Sequence, residues 1–238
     1  MQKSQKILIG AGAGVLALAA IAALAGPVIY RDFIAPPAAS APTLSTEESM
    51  TAGEPSGEKL DPQKLLGTWK VSEGSEAGYR VDEVLNGTDV TVTGRTEQVT
   101  GEFTIGGDGL TLERAQLEVD VASISTDSAQ RDAYFRDDAL RTGEFPTATF
   151  TLTDPVSLDA APESGAVVKT EATGELTIAG VTRTVTASVE VTSDGETAQI
   201  AGSIPITFAD FGVQAPSLGF VSVEDSGSVE FQLTAARG

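Results

Sequence analysis

The segment GELTIAGVTRTVTASVEV, residues 174–191, decides the fold of this chain. After the Ala179-Gly180 pair, apolar residues at 181, 185, 187, 189 and 191 alternate with threonine, serine and glutamate. Strict alternation of this kind predicts a half-buried antiparallel strand. The Ala-Gly pair predicts a tight turn from the strand before it. Arg183 is the one charged residue on the apolar face.

The same alternation recurs from Gly67 to near the C-terminus and predicts an all-β domain. The predicted strands are 78–85, 90–95, 99–105, 110–124, 148–154, 166–178, 181–192, 196–208 and 227–234. Turn signals lie at Asn86-Gly87, residues 106–109, Asp194-Gly195 and Ser226-Gly227. The apolar phase shifts near Arg114, which predicts a β-bulge or a strand end.

Residues 125–140 interrupt the alternation. They begin with capping residues and predict a helix with Thr126 or Asp127 as its N-cap. Phe135 and Leu140 are predicted to pack toward the strands. About eight antiparallel strands with one inserted helix, and no strand-helix alternation, predict a closed eight-stranded antiparallel barrel. The interior of such a barrel holds either side chains or one slender ligand.

The composition removes several classes of function. The chain has no cysteine and no histidine, which excludes a Ser-His-Asp triad, a cysteine nucleophile and His-ligated zinc or haem. The net charge of −19 disfavours nucleic acid as a partner. No carboxylate pair, calcium-type loop or phosphate loop stands out. We therefore predict no catalytic residue, metal site or cofactor, and a protein that is not an enzyme.

The N-terminal part divides into three segments. Residues 7–30 contain no charge and, as a helix, would extend about 36 Å, enough to cross a bilayer. Lys3 and Lys6 place the tail, residues 1–6, in the cytoplasm and the rest outside it. We predict a single-pass signal anchor in the cell membrane; a signal peptide cleaved after Ala23-Leu24-Ala25 is the alternative. The Pro-, Ser- and Glu-rich residues 31–66 predict a flexible linker, which leaves 67–238 as the barrel domain.

A set of short motifs follows a fixed order along residues 67–234. The motifs are GTWKV at 67–71, YRV at 79–81, VTGEF at 99–103, SIST at 123–126, RD at 131–132, FPTATF at 145–150, GELTI at 174–178, GVTR at 180–183 and ADFGV at 209–213. In this order they resemble the YceI-like family of polyisoprenoid-binding, lipocalin-like barrels. The N-terminal span and linker resemble a membrane-anchored subgroup. Tyr134 departs from the commoner pattern, because a histidine often stands at that position.

The resemblance implies a long barrel whose apolar interior holds an isoprenoid chain, with carriage or storage rather than a reaction. The predicted tunnel residues are Phe103, Ile105, Phe150, Leu176, Val185, Val189, Phe208 and Phe231. At the mouth, facing the lipid head group, the candidates are Tyr79, Arg131, Tyr134 and Arg183. The alternatives are a solid core for the apolar set, a structural ion pair that anchors the helix to a strand for Arg131 and Asp132, wall positions for the tyrosines and rim packing for Arg183. Trp69 is predicted to close one end.

Two functions from different classes follow. The first is an extracytoplasmic, membrane-tethered binding protein for an isoprenoid lipid, either a polyprenyl compound or a quinone. A long tail inside the barrel would gain about 25 cal/mol per Å² of apolar area buried. The second is an acidic cell-surface interaction module with a solid barrel core and no ligand, which the net charge and the linker favour. The sequence leaves a homodimer open and does not identify the lipid.

Overall fold

The computed structural model describes residues 38–44, 58–85, 87–217, 219 and 221–238. In these ranges the strands are β1 (Gly67–Val71), β2 (Glu76–Leu85), β3 (Thr88–Thr96), β4 (Val99–Ile105), β5 (Thr111–Asp120), β6 (Thr147–Leu152), β7 (Val156–Ser157), β8 (Val168–Ile178), β9 (Val181–Ser193), β10 (Thr197–Thr207) and β11 (Val221–Arg237). The helices are α1 (Pro62–Leu65) and α2 (Ala129–Tyr134), and α2 continues into a π-helical turn, Phe135–Ala139. Two 3-10 turns lie at Val121–Ser123 and Phe208–Phe211.

Eight of the strands close into an antiparallel ring. Its order is β1, β4, β5, β6, β8, β9, β10 and β11, and the pairing of β11 with β1 closes it. The last residues of β11 pair with β1, and the earlier part of the same edge of β11 pairs with β2. β2 in turn forms a hairpin with β3. The predicted all-β, eight-stranded antiparallel barrel with an inserted helix is therefore confirmed.

The β8–β9 hairpin has the predicted geometry. The strands pair up to the residues on either side of the turn, and the turn residues Ala179 and Gly180 have φ angles of 49° and 77°. Positive φ at both central positions matches the natural twist of an antiparallel hairpin. In β9, Ala187 is buried and its polar neighbours are exposed. The half-buried alternation is therefore confirmed for this strand.

β5 is shorter than the predicted strand 110–124. It ends at Asp120, whose carboxylate accepts a hydrogen bond from the backbone N of Ala122 at 3.0 Å. This side-chain contact competes with the strand ladder and begins the first 3-10 turn. At the other end of β5, the register with β4 slips by one residue beside Arg114, which confirms the predicted bulge.

The predicted turn at Ser226-Gly227 is wrong. Both residues lie inside β11, where the register with β2 shifts between Val223 and Gly227. The local sequence favours a break, but continuous pairing with β10 carries the strand through it as a bulge. The predicted strands also omit β1 and the two-residue β7.

The inserted helix begins later than predicted. Ser128 is the N-cap of α2, and its hydroxyl accepts a hydrogen bond from a first-turn backbone N at 3.4 Å. Thr126 is held outside the helix because its N–H and its hydroxyl both donate to the Asp132 carboxylate, at 2.9 and 2.7 Å. Leu140 is buried and Phe135 packs against the core, as predicted.

Part of the predicted linker, residues 58–66, packs on the barrel. The backbone N of Leu60 donates to Pro162 O at 2.9 Å, and the Leu60 side chain is buried. The Asp61 side chain caps α1 by accepting a hydrogen bond from Gln63 N at 2.9 Å. Ordered contacts with the barrel therefore begin before Gly67, the predicted domain start.

A second part of the predicted linker, residues 38–44, lies on the outer wall. Arg80 Nη2 donates to Ala39 O at 2.5 Å, and Leu44 N donates to the Glu190 carboxylate at 2.8 Å. The Leu44 side chain is buried. The chain in this segment is therefore fixed to strands on two sides of the wall, β2 and β9.

A buried carboxylate links three strands on the outer wall. Glu230 of β11 is 2% exposed and accepts a hydrogen bond from Arg80 Nε of β2 at 2.6 Å. Arg95 of β3 forms a second ion pair with the same carboxylate. Charge-assisted bonds to both arginines satisfy Glu230 and join β11 to the β2–β3 hairpin.

No helix in the described ranges is long and apolar enough to cross a membrane. The predicted span, residues 7–30, and the tail, residues 1–6, lie outside those ranges. Residues 31–37 and 45–57 of the predicted linker do so as well.

Candidate functional site

The barrel is hollow. An apolar cavity of about 760 Å³ occupies its interior and is bordered by side chains from strands around the ring and from α2. A volume in this range suits an organic ligand. Protein interiors are otherwise packed to the density of organic crystals. The solid-core alternative is therefore wrong for this barrel.

Most of the predicted tunnel residues line this cavity. They are Phe103, Ile105, Phe150, Leu176, Val189, Phe208 and Phe231. Several, including Phe103, Phe150 and Val189, are only partly buried although they point inward. Their remaining exposure is to the cavity, as expected where an apolar wall faces empty space instead of other side chains.

Val185 does not line the cavity. It pairs with Gly174 of β8, and the Phe150 ring occupies the space over that glycine, 2.5 Å from where a Cβ would lie. The ring, and not Val185, faces the cavity at this level. Val185 instead packs against the core side chains around it.

One end of the cavity is covered. Leu60 and Trp69 line it there and are 7% and 4% exposed. The Trp69 indole donates to Leu65 O at 2.9 Å, which fixes the ring beneath α1. Trp69 thus lies at one end of the barrel, where the sequence places it, and the segment 58–66 completes the cover.

The exposed residues that line the cavity, among those described, lie toward the opposite end. Of the described residues that line the cavity, only Gln130 and Gln214 are exposed. Gln130 lies on α2, and Gln214 lies in the loop between the second 3-10 turn and β11. We therefore assign the mouth of the cavity to the region between this helix and this loop.

Arg131 lies at the mouth in a cluster of carboxylates. Its Nη1 donates to Asp127 at 2.6 Å, and its Nη2 pairs with Glu83 of β2 at 3.2 Å. Burial opposes the charged guanidinium, but the two carboxylates outweigh it and raise the pKa of Arg131 above its ordinary value. The Arg131–Glu83 pair is thus the predicted ion pair that anchors the helix to a strand, whereas the Asp132 carboxylate is bonded to Thr126.

Tyr79 lines the cavity beside this cluster. Its ring stacks on Phe135 with centroids 4.9 Å apart and an interplanar angle of 15°. Burial is the main cause that raises the pKa of Tyr79 to about 12, and nearby carboxylates add to the effect. The hydroxyl therefore stays protonated at neutral pH. Tyr134, on α2, also lines the cavity and is half-buried.

Arg183 is not at this mouth. It is exposed, it borders a separate outer groove, and its Nη1 donates to Thr182 O at 2.9 Å. It stands close after the β8–β9 turn, where a long side chain can leave the inward face and reach water. The structure therefore brings Tyr79, Arg131 and Tyr134 together and leaves Arg183 outside.

Glu83 is the cavity residue that the sequence reasoning missed. It is 6% exposed and shares the inward face of β2 with Tyr79 and Val81. The period of two along β2 places it inward, but a charged residue at an inward position breaks the apolar pattern. Its partner Arg131 is 48 residues away, so no local signal shows the pair. In the described ranges, no cluster of carboxylates is arranged to hold a metal ion.

A closed antiparallel barrel around an apolar cavity is typical of the class of small β-barrels whose interior can hold an apolar ligand. The model of the YceI-like domain matches residues 69–235. The chain therefore belongs to the YceI-like family, as the order of its motifs predicts.

Known relatives agree with this assignment. A UPF0312 protein of Vibrio vulnificus is 28% identical over 141 residues, 56% of this chain and 70% of the relative. A UPF0312 protein of Pseudomonas paraeruginosa is 30% identical over 128 residues, 51% of this chain and 63% of the relative. The fold is similar to that of a polyisoprenoid binding domain from Saccharophagus degradans, with a TM-score of 0.58 and 22% identity over 73% of this chain and 99% of that one.

Proposed function

We propose that this protein binds an isoprenoid lipid, a polyprenyl compound or a quinone, with its tail inside the barrel. The observation that carries the proposal is the apolar cavity of about 760 Å³, with polar side chains at the end assigned as its mouth. The polyisoprenoid binding domain of Saccharophagus degradans supports the choice of ligand through its fold.

The energetics favour a long tail over a small polar ligand. Most of the lining is apolar, with a few hydroxyl groups such as those of Thr149, Thr170 and Thr192, so affinity has to come mainly from apolar burial. At about 0.8 kcal/mol for each buried CH₂, a tail of a few isoprene units offsets the cost of ordering it. A polar ligand in the same space would lose its hydrogen bonds to water without replacement.

We further propose that the protein carries or stores the lipid and does not transform it. The charged side chains that line the cavity in the described residues, Glu83 and Arg131, are paired with each other. Tyr79 is a poor base, because its pKa is about 12. A group that is already neutralised, or that holds its proton at neutral pH, is poorly suited to acid-base chemistry.

We also retain the predicted location. Residues 7–30 would anchor the chain in the cell membrane and leave the barrel outside the cytoplasm, next to a bilayer that supplies apolar lipids. Protease added to intact cells should then degrade the barrel and spare residues 1–6. A barrel protected in intact cells, or found only in the cytoplasm, would contradict this arrangement.

Organic extraction of the purified full-length chain, followed by mass spectrometry, tests the ligand. We expect about one isoprenoid molecule for each protein chain. A protein that yields none, and that takes up neither added polyprenol nor added quinone, would show the proposed ligand class to be wrong.

A further inference from the structure

The mouth of the cavity has no free positive charge. The charged residues that line the cavity, within the described part of the chain, are Glu83 and Arg131. Arg131 Nη2 pairs with Glu83, and Arg131 Nη1 donates to the Asp127 carboxylate and to Thr126 Oγ1, at 2.6 and 3.4 Å. Both terminal nitrogens of the guanidinium therefore already have acceptors.

Counted over the described residues, the local charge is negative. Glu83 and Asp127 carry two negative charges against the single positive charge of Arg131, and the buried carboxylate of Asp132 lies one residue along α2. A phosphate at the mouth would meet more carboxylates than guanidinium groups. Phosphate-binding sites in proteins instead present unpaired arginines, lysines or backbone N–H groups.

Neutral hydrogen-bond donors are available at the same place. The Tyr79 hydroxyl is protonated at neutral pH, and none of the contacts that shift its pKa is a hydrogen bond. Tyr134 and the amides of Gln130 and Gln214 also border the mouth. These groups suit a carbonyl or hydroxyl oxygen on the head of a lipid.

We infer that the mouth selects isoprenoid lipids with an uncharged, hydrogen-bond-accepting head, such as a quinone or a polyprenol, and disfavours polyprenyl phosphates. The Tyr79 hydroxyl donates a hydrogen bond to the oxygen of the head group. Glu83 neutralises Arg131 through their ion pair and repels an anionic head group. The inference rests on the proposed function and narrows its ligand class.

Geranylgeraniol and geranylgeranyl phosphate test the inference, because they share one tail and differ in the head. The affinity of each lipid is measured by its displacement of a fluorescent polyene probe from the full-length chain, in the same detergent and at neutral pH. We expect the alcohol to bind at least about tenfold more tightly than the phosphate. Glu83→Gln, which removes one carboxylate, should reduce that ratio several-fold. Glu118→Gln, an exposed outer-wall change of equal charge, should leave it unchanged.

A second variant tests the donor. Tyr79→Phe should weaken geranylgeraniol several-fold and leave squalene, which has no head group, unaffected. A phosphate that binds as tightly as the alcohol, or more tightly, would overturn the inference and leave the proposed function intact. If the wild-type chain binds none of these lipids, both are overturned. If Glu83→Gln does not fold, the wild-type ratio and Tyr79→Phe still decide the matter.

Discussion

Filling the middle of the cavity should shorten the tail that the barrel accepts. Ala187 is the middle residue of β9, lines the cavity and pairs with another cavity-lining alanine, Ala172 of β8. Ala187 is only 2% exposed, so phenylalanine at 187 would push the side chains around it toward the cavity and narrow the cavity at this level. Each five-carbon isoprene unit displaced loses up to about 4 kcal/mol of burial, or about 2 kcal/mol after the cost of ordering it, which corresponds to ~30-fold in affinity.

The assay is a series of polyprenols of increasing length, each bound to full-length wild type and to Ala187→Phe. Wild-type affinity should rise with tail length until the cavity is full, whereas the variant should stop gaining at a shorter tail. Thr186→Phe, the exposed neighbour on the outer wall, is the matched control and should behave as wild type. An Ala187→Phe chain that folds and binds every tail as wild type does would refute a ligand position inside the barrel.

Three further predictions concern stability. The pKa of Tyr79 is raised from 10.0 to about 12, so the unfolded chain loses this proton first as pH rises. The free energy of unfolding should therefore fall by about 3 kcal/mol between pH 10 and pH 12. In urea unfolding at several pH values, Tyr79→Phe should abolish this part of the loss. Glu230→Gln should cost about 3 kcal/mol in urea unfolding, because two partly buried arginines lose their counter-charge, whereas exposed Glu224→Gln should change stability by no more than about 0.5 kcal/mol. Gly180→Ala should cost about 1–2 kcal/mol in thermal unfolding, because φ is 77° and the new Cβ would lie 2.5 Å from the Phe145 ring; an unchanged midpoint would contradict the turn geometry.

The strands were predictable because their signal is local. The alternation around Ala187 and the Ala-Gly turn depends on neighbours in sequence, and both features are found in the structure. The bulge beside Arg114 was predictable for the same reason. The prediction of a turn at Ser226-Gly227 was wrong because the pairing of β11 with distant strands overrides the local turn propensity.

The hollow interior was not predictable from the residues alone. Leu176, 3% exposed, and the half-buried Val189 have the same place in an alternating pattern, although only the second leaves much of its surface facing empty space. Whether a barrel is filled depends on the sizes of side chains that meet from opposite walls. The same limit explains Val185, which does not line the cavity, whereas the ring of Phe150 over its pairing partner Gly174 does. Only the family resemblance indicated a tunnel.

The cover formed by Leu60 and Trp69 has a kinetic consequence. Because Leu60 and Trp69 cover one end, and the exposed residues among the described cavity lining are Gln130 and Gln214, we expect a lipid to enter and leave by the same end. The occupant has to leave before a successor arrives. Exchange should therefore follow first-order release, at a rate that does not depend on the concentration of the incoming lipid. In a barrel of this kind the ligand enters and leaves at the same end, and does not move through the barrel from one end to the other.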